Sequence, residues 1–305
     1  MKLLNKLLLT LGVVSSVSLM PSCASVDTSE VSIILPNGTP AIAVGTLLNE
    51  VDSEVVTDST LLQSALVTGE TDFVIAPLIL GTNLYLKGKS KYQLEAIITT
   101  NNAYLVSQKE LTPASLQGKD IVAFQQTNTP GIMLETYLEL NSISANVQYE
   151  ANVNQSVAAF KNGSCEYALV AEPQLTALEL QYPNLNIVNI GDEICEKGKF
   201  VPQAALFVNP DSTDDEDVKA FKKNLKKNIE KLNNKPSEYA KNLLDSNITY
   251  FSTYTLETLE KALPRCNLAY MQAKDNKDSI VAYYDSCDKY NQTFNGARPS
   301  EEFYK

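Results

Sequence analysis

At 305 residues with 44% hydrophobic content the chain can fill the cores of two ordinary domains, which excludes a disordered or fibrous protein. Its formal net charge of −11, with basic residues dispersed outside the N-terminus and one C-terminal helix, excludes nucleic acid as the expected partner. Histidine is absent, which removes the usual general base, the Ser-His-Asp and Cys-His arrangements and the commonest metal ligand.

Residues 1–22 read as an export signal: Lys2 and Lys6 supply the positive start and Leu7 to Met20 an apolar run too short and too serine-rich to be a permanent membrane span. The following "SLMPSCAS" resembles the bacterial lipobox, with Cys23 as the lipid-bearing residue, although Met20 and Pro21 stand where that pattern prefers leucine and a small residue. Ordinary secretory cleavage after Ala24 is the competing reading. Residues 23–30 are small and polar, as a tether would be. With Cys23 set aside, Cys165, Cys195, Cys266 and Cys287 form an even set of disulfide candidates in an oxidising setting. Proximity would pair Cys165 with Cys195 and Cys266 with Cys287, although three connectivities are open.

From Val31 the pattern alternates. "VSIIL" predicts a strand, 40–51 a helix, "SEVVT" a strand, 59–68 a helix and "DFVIAP" a strand, followed by another helix and "LEAIITT". The order then returns: "DIVAF" strand, 130–141 helix, "NVQYE" strand, 154–162 helix and "EYALVAEP" strand. Short β-branched runs alternating with helices predict parallel sheets of right-handed βαβ units, an α/β fold. Two motifs recur in the same order: "TPAIAVGTLLNE" with "TPGIMLETYLEL", and "GETDFVIAP" with "GSCEYALVAEP". The chain therefore reads as two lobes of similar build. Beyond Pro173 come a helix, the strand "LNIVNI", a cysteine-bearing loop and "QAALFVNPD". The segment "DSTDDEDVKAFKKNLKKNIEKL" starts acidic and ends basic, as the helix dipole favours. The remainder reads as helices with a tyrosine-rich tail, packed on the first lobe.

In open parallel sheets the loops after the strands line the ligand crevice, and helix N-termini there offer unpaired N–H groups. Both TP motifs hold that position, with Thr39 and Thr129 as N-caps and Pro40 and Pro130 at the first helical turn. Asn37, Gly38, Thr127, Asn128 and Gly131 belong to the same turns, and the glycines would let a ligand approach the backbone. Asp58, Ser59, Ala76, Pro77 and Glu172 end other predicted strands. Asp58 and Glu172 either accept hydrogen bonds from a ligand or cap the neighbouring helix. No catalytic residue, metal or cofactor is expected. An enzyme would have to use carboxylates, lysine or tyrosine.

The lipobox-like Cys23, "LQSALVTGETDFVIAP", "LTPASLQGKDIVAF" leading into "TNTPG", "VAAFKNGSCEYALVAEP" and "FNGARPSEEFY" together resemble the solute-binding lipoproteins of ABC importers, in the group of nitrate, sulfonate, taurine and thiamine-precursor binding proteins. The resemblance spans essentially the mature chain. It implies a type II periplasmic-binding-protein fold, with lobe 1 at 31–104 and 206–305, lobe 2 at 105–205, and crossovers near Ala103 to Val106 and Ala204 to Phe207. It implies a lipid-anchored monomer on the extracytoplasmic face of a bacterial cell membrane, which captures a small polar or anionic organic solute and delivers it to an ABC permease. A non-transport surface lipoprotein and an enzyme on the same fold are the competing classes. The only arginines, Arg265 and Arg298, lie outside the proposed cleft loops, so an anion would depend on helix N-termini and hydroxyls unless Arg265 folds back.

Overall fold

The computed structural model describes residues 28–195 and 199–305. The expected signal segment 1–22, Cys23 and the tether to residue 27 lie outside the described residues. Thr28 is already part of the body: it is buried, and its hydroxyl donates to the Glu50 carbonyl at 3.1 Å.

The first half runs β1 (Ser32–Pro36), α1 (Thr39–Val44), β2 (Asp52–Val56), α2 (Ser59–Thr68), β3 (Phe73–Pro77), α3 (Leu78–Leu86) and β4 (Gln93–Thr100). After β5 (Tyr104–Ser107) the series returns as β6 (Asp120–Phe124), α4 (Thr129–Leu140), β7 (Asn146–Glu150), α5 (Val153–Lys161), β8 (Tyr167–Val170), α6 (Gln174–Gln181) and β9 (Asn186–Asn189). Then come α7 (Ile190–Glu193), β10 (Pro202–Val208), α8 (Glu216–Asn234), α9 (Pro236–Asp245), α10 (Leu256–Ala262), β11 (Leu268–Gln272) and α11 (Lys277–Asn291).

Two sheets result, ordered β11-β4-β10-β3-β1-β2 and β7-β6-β8-β5-β9. In each, the three strands that open the repeat pair in parallel. The next neighbour in each is an antiparallel strand delivered by a crossover: β10 lies between β3 and β4, and β5 lies between β8 and β9. The sheets are therefore mixed, because each lobe receives one strand from the chain as it passes between them. The chain leaves the first sheet through residues 101–103 and re-enters it at Pro202, so residues 202–205 pair with β3 and β4. β11, within the segment expected to be helical, extends the first sheet antiparallel to β4.

Burial follows the period of each element. Alternate residues of β1 and β3 enter opposite apolar clusters, Ile34 and Val74 on one face, Ile33 and Phe73 on the other. The second face is covered by α8, whose Val218, Phe221, Leu225, Ile229 and Leu232 recur at helical spacing and are buried. Its first turn carries Glu216 and Asp217 and its last turn Lys231, the polarity expected for the dipole. The first face is continuous with the second lobe: Leu105, Ile121, Met133 and Leu169 share one cluster with Ile97, Phe207 and Ile280. In that cluster α11 packs along α4. Among the described residues no helix is long and apolar enough to cross a membrane.

The disulfide expectation is corrected: Cys165, Cys195, Cys266 and Cys287 are all free. Cys165 belongs to the cluster on the outer face of the second sheet, whereas Cys195 packs against the cluster on its inner face. Cys266 and Cys287 are likewise separated by the first sheet. Neighbours in sequence are thus held apart by a layer of strands.

Gly81 in α3 faces the ring of Phe207 on β10, and a Cβ there would stand 2.1 Å from the ring. Alanine is the better helix former by about 1 kcal/mol, yet Gly81→Ala should destabilise the protein by about 1–3 kcal/mol through overpacking. Thermal unfolding should show this fall, with partial recovery when Phe207→Leu is added.

Candidate functional site

The loops that follow equivalent strands of the two lobes meet around one cavity of about 110 Å³. They come in pairs. The β1–α1 turn brings Asn37, Gly38, Thr39 and Pro40, opposite Thr129 and Pro130 from the β6–α4 turn. The β2–α2 turn brings Asp58 and Ser59, opposite Asn152 and Val153 from the β7–α5 turn. Pro77 after β3 stands opposite Ala171 and Glu172 after β8. Such convergence follows from parallel pairing, which puts the C-termini of the three parallel strands of each repeat at one end.

Other expected residues lie elsewhere. Ala76 is fully buried within β3 and pairs with β10. Thr127 lines a separate groove between α4 and α11. Asn128 forms the turn before α4, accepting from the Ile132 N–H through its carbonyl, and does not line the cavity. At Gly131 a Cβ would meet the Gln126 carbonyl oxygen at 2.4 Å, so this glycine admits the chain's own loop and not a ligand. Gly38 has a φ of 88°, in the region that favours glycine, and open space where a Cβ would stand. Its N–H donates to the Tyr250 hydroxyl, which itself contacts the Tyr254 hydroxyl at 2.7 Å.

Thr39 and Thr129 do not cap their helices; Gly38 and Asn128 occupy the cap positions, with no side-chain cap bond. A buried amide network claims the hydroxyls instead. Asn102, in the first crossover, donates from Nδ2 to Thr39 Oγ1 at 3.0 Å and accepts at Oδ1 from the Glu172 N–H at 2.8 Å. Gln203, in β10, accepts at Oε1 from the Asn102 N–H at 2.9 Å and donates from Nε2 to the Asn102 carbonyl at 3.0 Å. Thr129 Oγ1 donates to the Gln203 carbonyl at 3.5 Å. Every polar atom of the two side-chain amides is thereby partnered, as burial demands.

Both carboxylates turn out to cap. Asp58 Oδ1 accepts from the Thr60 N–H at 2.9 Å, and these bonds hold its carboxyl below the usual range. Glu172 Oε2 accepts from the Thr176 N–H at 3.1 Å and the Thr176 hydroxyl at 2.8 Å. Arg265, from the turn after α10, places Nη2 2.7 Å from Glu172 Oε1 and also pairs with Glu179. Arg265 therefore folds toward the cleft and engages both of these carboxylates through Nη2, its Nε is buried without a hydrogen-bond partner, and it is not among the cavity-lining residues. Burial pushes the Glu172 carboxyl up to about 7; Arg265 and the Thr176 bonds pull it down, and Glu179 adds to the rise.

Asn102, Gln203, Phe124, Gln125, Asn152 and Gln174 line the cavity without having been singled out in the sequence. Asn152 had a usable signal, since it is the counterpart of Asp58 in the repeat and likewise caps its helix, accepting from the Gln155 N–H. Among the described residues no group of three histidine, cysteine or acidic side chains stands where it could hold a metal ion.

No family model and no curated protein matches the chain. Solved structures do. An ABC transporter from Parabacteroides distasonis is 23% identical, with a TM-score of 0.74 over 92% of this chain and 99% of that one. The periplasmic aliphatic sulphonate binding protein SsuA from Escherichia coli is 12% identical, with a TM-score of 0.67 over 86% of each chain. The ligand binding component of an ABC-type import system from Staphylococcus aureus, solved with zinc bound, is 15% identical, with a TM-score of 0.67 over 90% of this chain and 96% of that one. The chain has the periplasmic-binding-protein fold.

The Glu172 site has a defined pH signature. The native carboxyl keeps its proton to about pH 7, whereas an unfolded glutamate loses it near its ordinary value of about 4.3. Between those values the folded state binds more protons, so this group's contribution to stability falls as pH rises. Arg265→Ala should therefore cost little at pH 5, where Glu172 is protonated. At pH 8 it should cost about 1–3 kcal/mol, below the penalty for a fully buried pair because the arginine is partly exposed. Melting temperatures across pH check this, and Glu172→Gln should flatten the profile.

Proposed function

We propose that the chain is an extracytoplasmic solute-binding protein that closes its two lobes over a small polar molecule and presents it to an ABC permease. The observation that carries this reading is the cavity between the lobes, formed from three pairs of equivalent loops, one member of each pair from each lobe. A cavity so formed changes shape when the lobes move, which is what a carrier that signals occupancy requires. The periplasmic-binding-protein fold and the importer-related neighbours support the same role. The moving bodies follow the expected division, 31–104 with 206–305 against 105–205, except that Tyr104 goes with the second sheet and residues 202–205 with the first, so the hinge runs through residues 101–103 and the approach to Pro202. In this reading Cys23 carries a lipid that holds a monomer on the outer face of the bacterial cell membrane, after removal of residues 1–22. The cavity works without a catalytic group or cofactor, because capture and release make no covalent bond.

A thermal-shift screen with sulfonates, nitrate, pyrimidines, nucleosides and amino acids tests the role. A bound solute at a hundredfold excess over its Kd stabilises by about 2.7 kcal/mol, and the bound protein should show a smaller radius of gyration by small-angle scattering. Silence across the screen, with no small molecule retained on the purified protein by native mass spectrometry, would overturn the proposal.

A further inference from the structure

Beside the cavity lies a groove of about 660 Å³, lined by α6 of the second lobe and the 250–258 segment of the first. Asn37 and Gln174 line both spaces, one from each lobe, and so stand between them, where a throat would lie. Gln174 Nε2 donates to Asn154 Oδ1 at 3.1 Å, which fixes the amide. Its other end, Oε1, is buried and has no hydrogen-bond partner. A buried acceptor at a throat calls for a donor from what passes through it.

Charge limits what that can be. Among the described residues, the acidic side chains lining the cavity are Asp58 and Glu172, the latter already paired with Arg265, and the groove adds Glu257; neither space is lined by lysine or arginine. Arg265 engages Glu172, Glu179 and Thr176 through Nη2, and it lines neither space. The Gly38 N–H is taken by Tyr250, the Gln203 amide is consumed by the Asn102 backbone, and the Asn102 amide by Thr39 and Glu172. An anion entering here would lose its water beside carboxylates and gain no cation in return. In the groove, Tyr250 and Tyr254 hold their rings edge to face, 5.8 Å between centroids, with their hydroxyls locked together. They give an aromatic wall to whatever projects from the throat.

We propose that the solute is uncharged or cationic, places a compact head in the inner cavity, donates an N–H to Gln174 Oε1 at the throat, and extends its remainder along the Tyr250–Tyr254 wall. This rests on the binding-protein reading above and specifies its ligand: an amide- or amine-bearing molecule, not an organic anion.

The test uses protein stripped of ligand by unfolding and refolding, then incubated with a filtered small-molecule extract of bacterial cells and desalted. Native mass spectrometry gives the occupancy, and electrophoretic mobility at pH 7 gives the charge of the molecule released. The wild type should release a neutral or positive molecule. Gln174→Ala should reduce its occupancy about tenfold at limiting extract, the loss of one well-placed hydrogen bond. Gln174→Glu, which keeps the acceptor, should retain it, and thermal unfolding establishes that both variants fold. A released anion would overturn the proposal and leave the binding role standing, as would a neutral molecule held equally by Gln174→Ala. Protein that takes up nothing would remove the binding role and the proposal together.

Discussion

Asn102 and Gln203 pair where the two connections between the lobes cross. The Gln203 side chain bonds both backbone groups of Asn102 as a sheet neighbour would, and both residues are buried. Through Thr39 and the Glu172 N–H the same pair reaches the β1–α1 turn of one lobe and the β8–α6 turn of the other. Four segments far apart in sequence are therefore fixed by two amides whose donors and acceptors are all used. Removing either would leave several buried polar groups without partners, each at a desolvation cost of about 1–3 kcal/mol. The floor of the cavity is thereby set before any ligand arrives. A closing motion has to pivot about this point, because everything else joining the lobes lies to either side of it.

The two sides differ in kind. On one, α11 and α4 share an apolar cluster that includes Tyr137, Ile280 and Tyr283, backed by the Asn291–Thr136 hydrogen bond. On the other, the contact is ionic and polar: Arg265 against Glu172, Glu179 and Thr176, beside the open groove. Apolar packing favours sliding without exposure to water, whereas an ion pair loses little when its groups separate into solvent. The groove side is thus the cheaper one to open, and it is also the side where Gln174 and Asn37 face each other.

The repeat was legible because the chemistry repeats. Proline and threonine at the start of two helices, after two strands, give a local pattern that survives without tertiary knowledge. The loops it marks do meet at the cavity. What reading along the chain missed has a common cause. Asn102 and Gln203 sit on crossovers that carry no periodicity, so a buried amide there looks like any polar loop residue. Thr39 and Thr129 have the sequence of N-caps, yet a buried amide and a carbonyl compete for their hydroxyls and win. The cysteine pairing failed because sequence proximity says nothing about which face of a sheet a side chain enters. β5 and β10 are short apolar runs like their neighbours, and only the crossover topology makes them antiparallel members of a mixed sheet.

The specific chemistry of the cleft comes from departures from the repeat. Where β3 ends at Pro77, the loop after β8 adds Glu172, a carboxylate that burial alone would keep protonated to higher pH. Its partner Arg265 comes from the C-terminal part of the chain, which has no counterpart in the repeat. The same part supplies Tyr250, which takes the Gly38 N–H, and α11, which closes the apolar seam. Two similar lobes alone would present a symmetric set of loops and free N–H groups suited to an anion. The added segment occupies the donor at Gly38, neutralises one acid with the only nearby arginine, and raises an aromatic wall beside the throat. In the proposed reading the repeated halves form the clamp, and the C-terminal part without a counterpart in the repeat sets the charge of its lining.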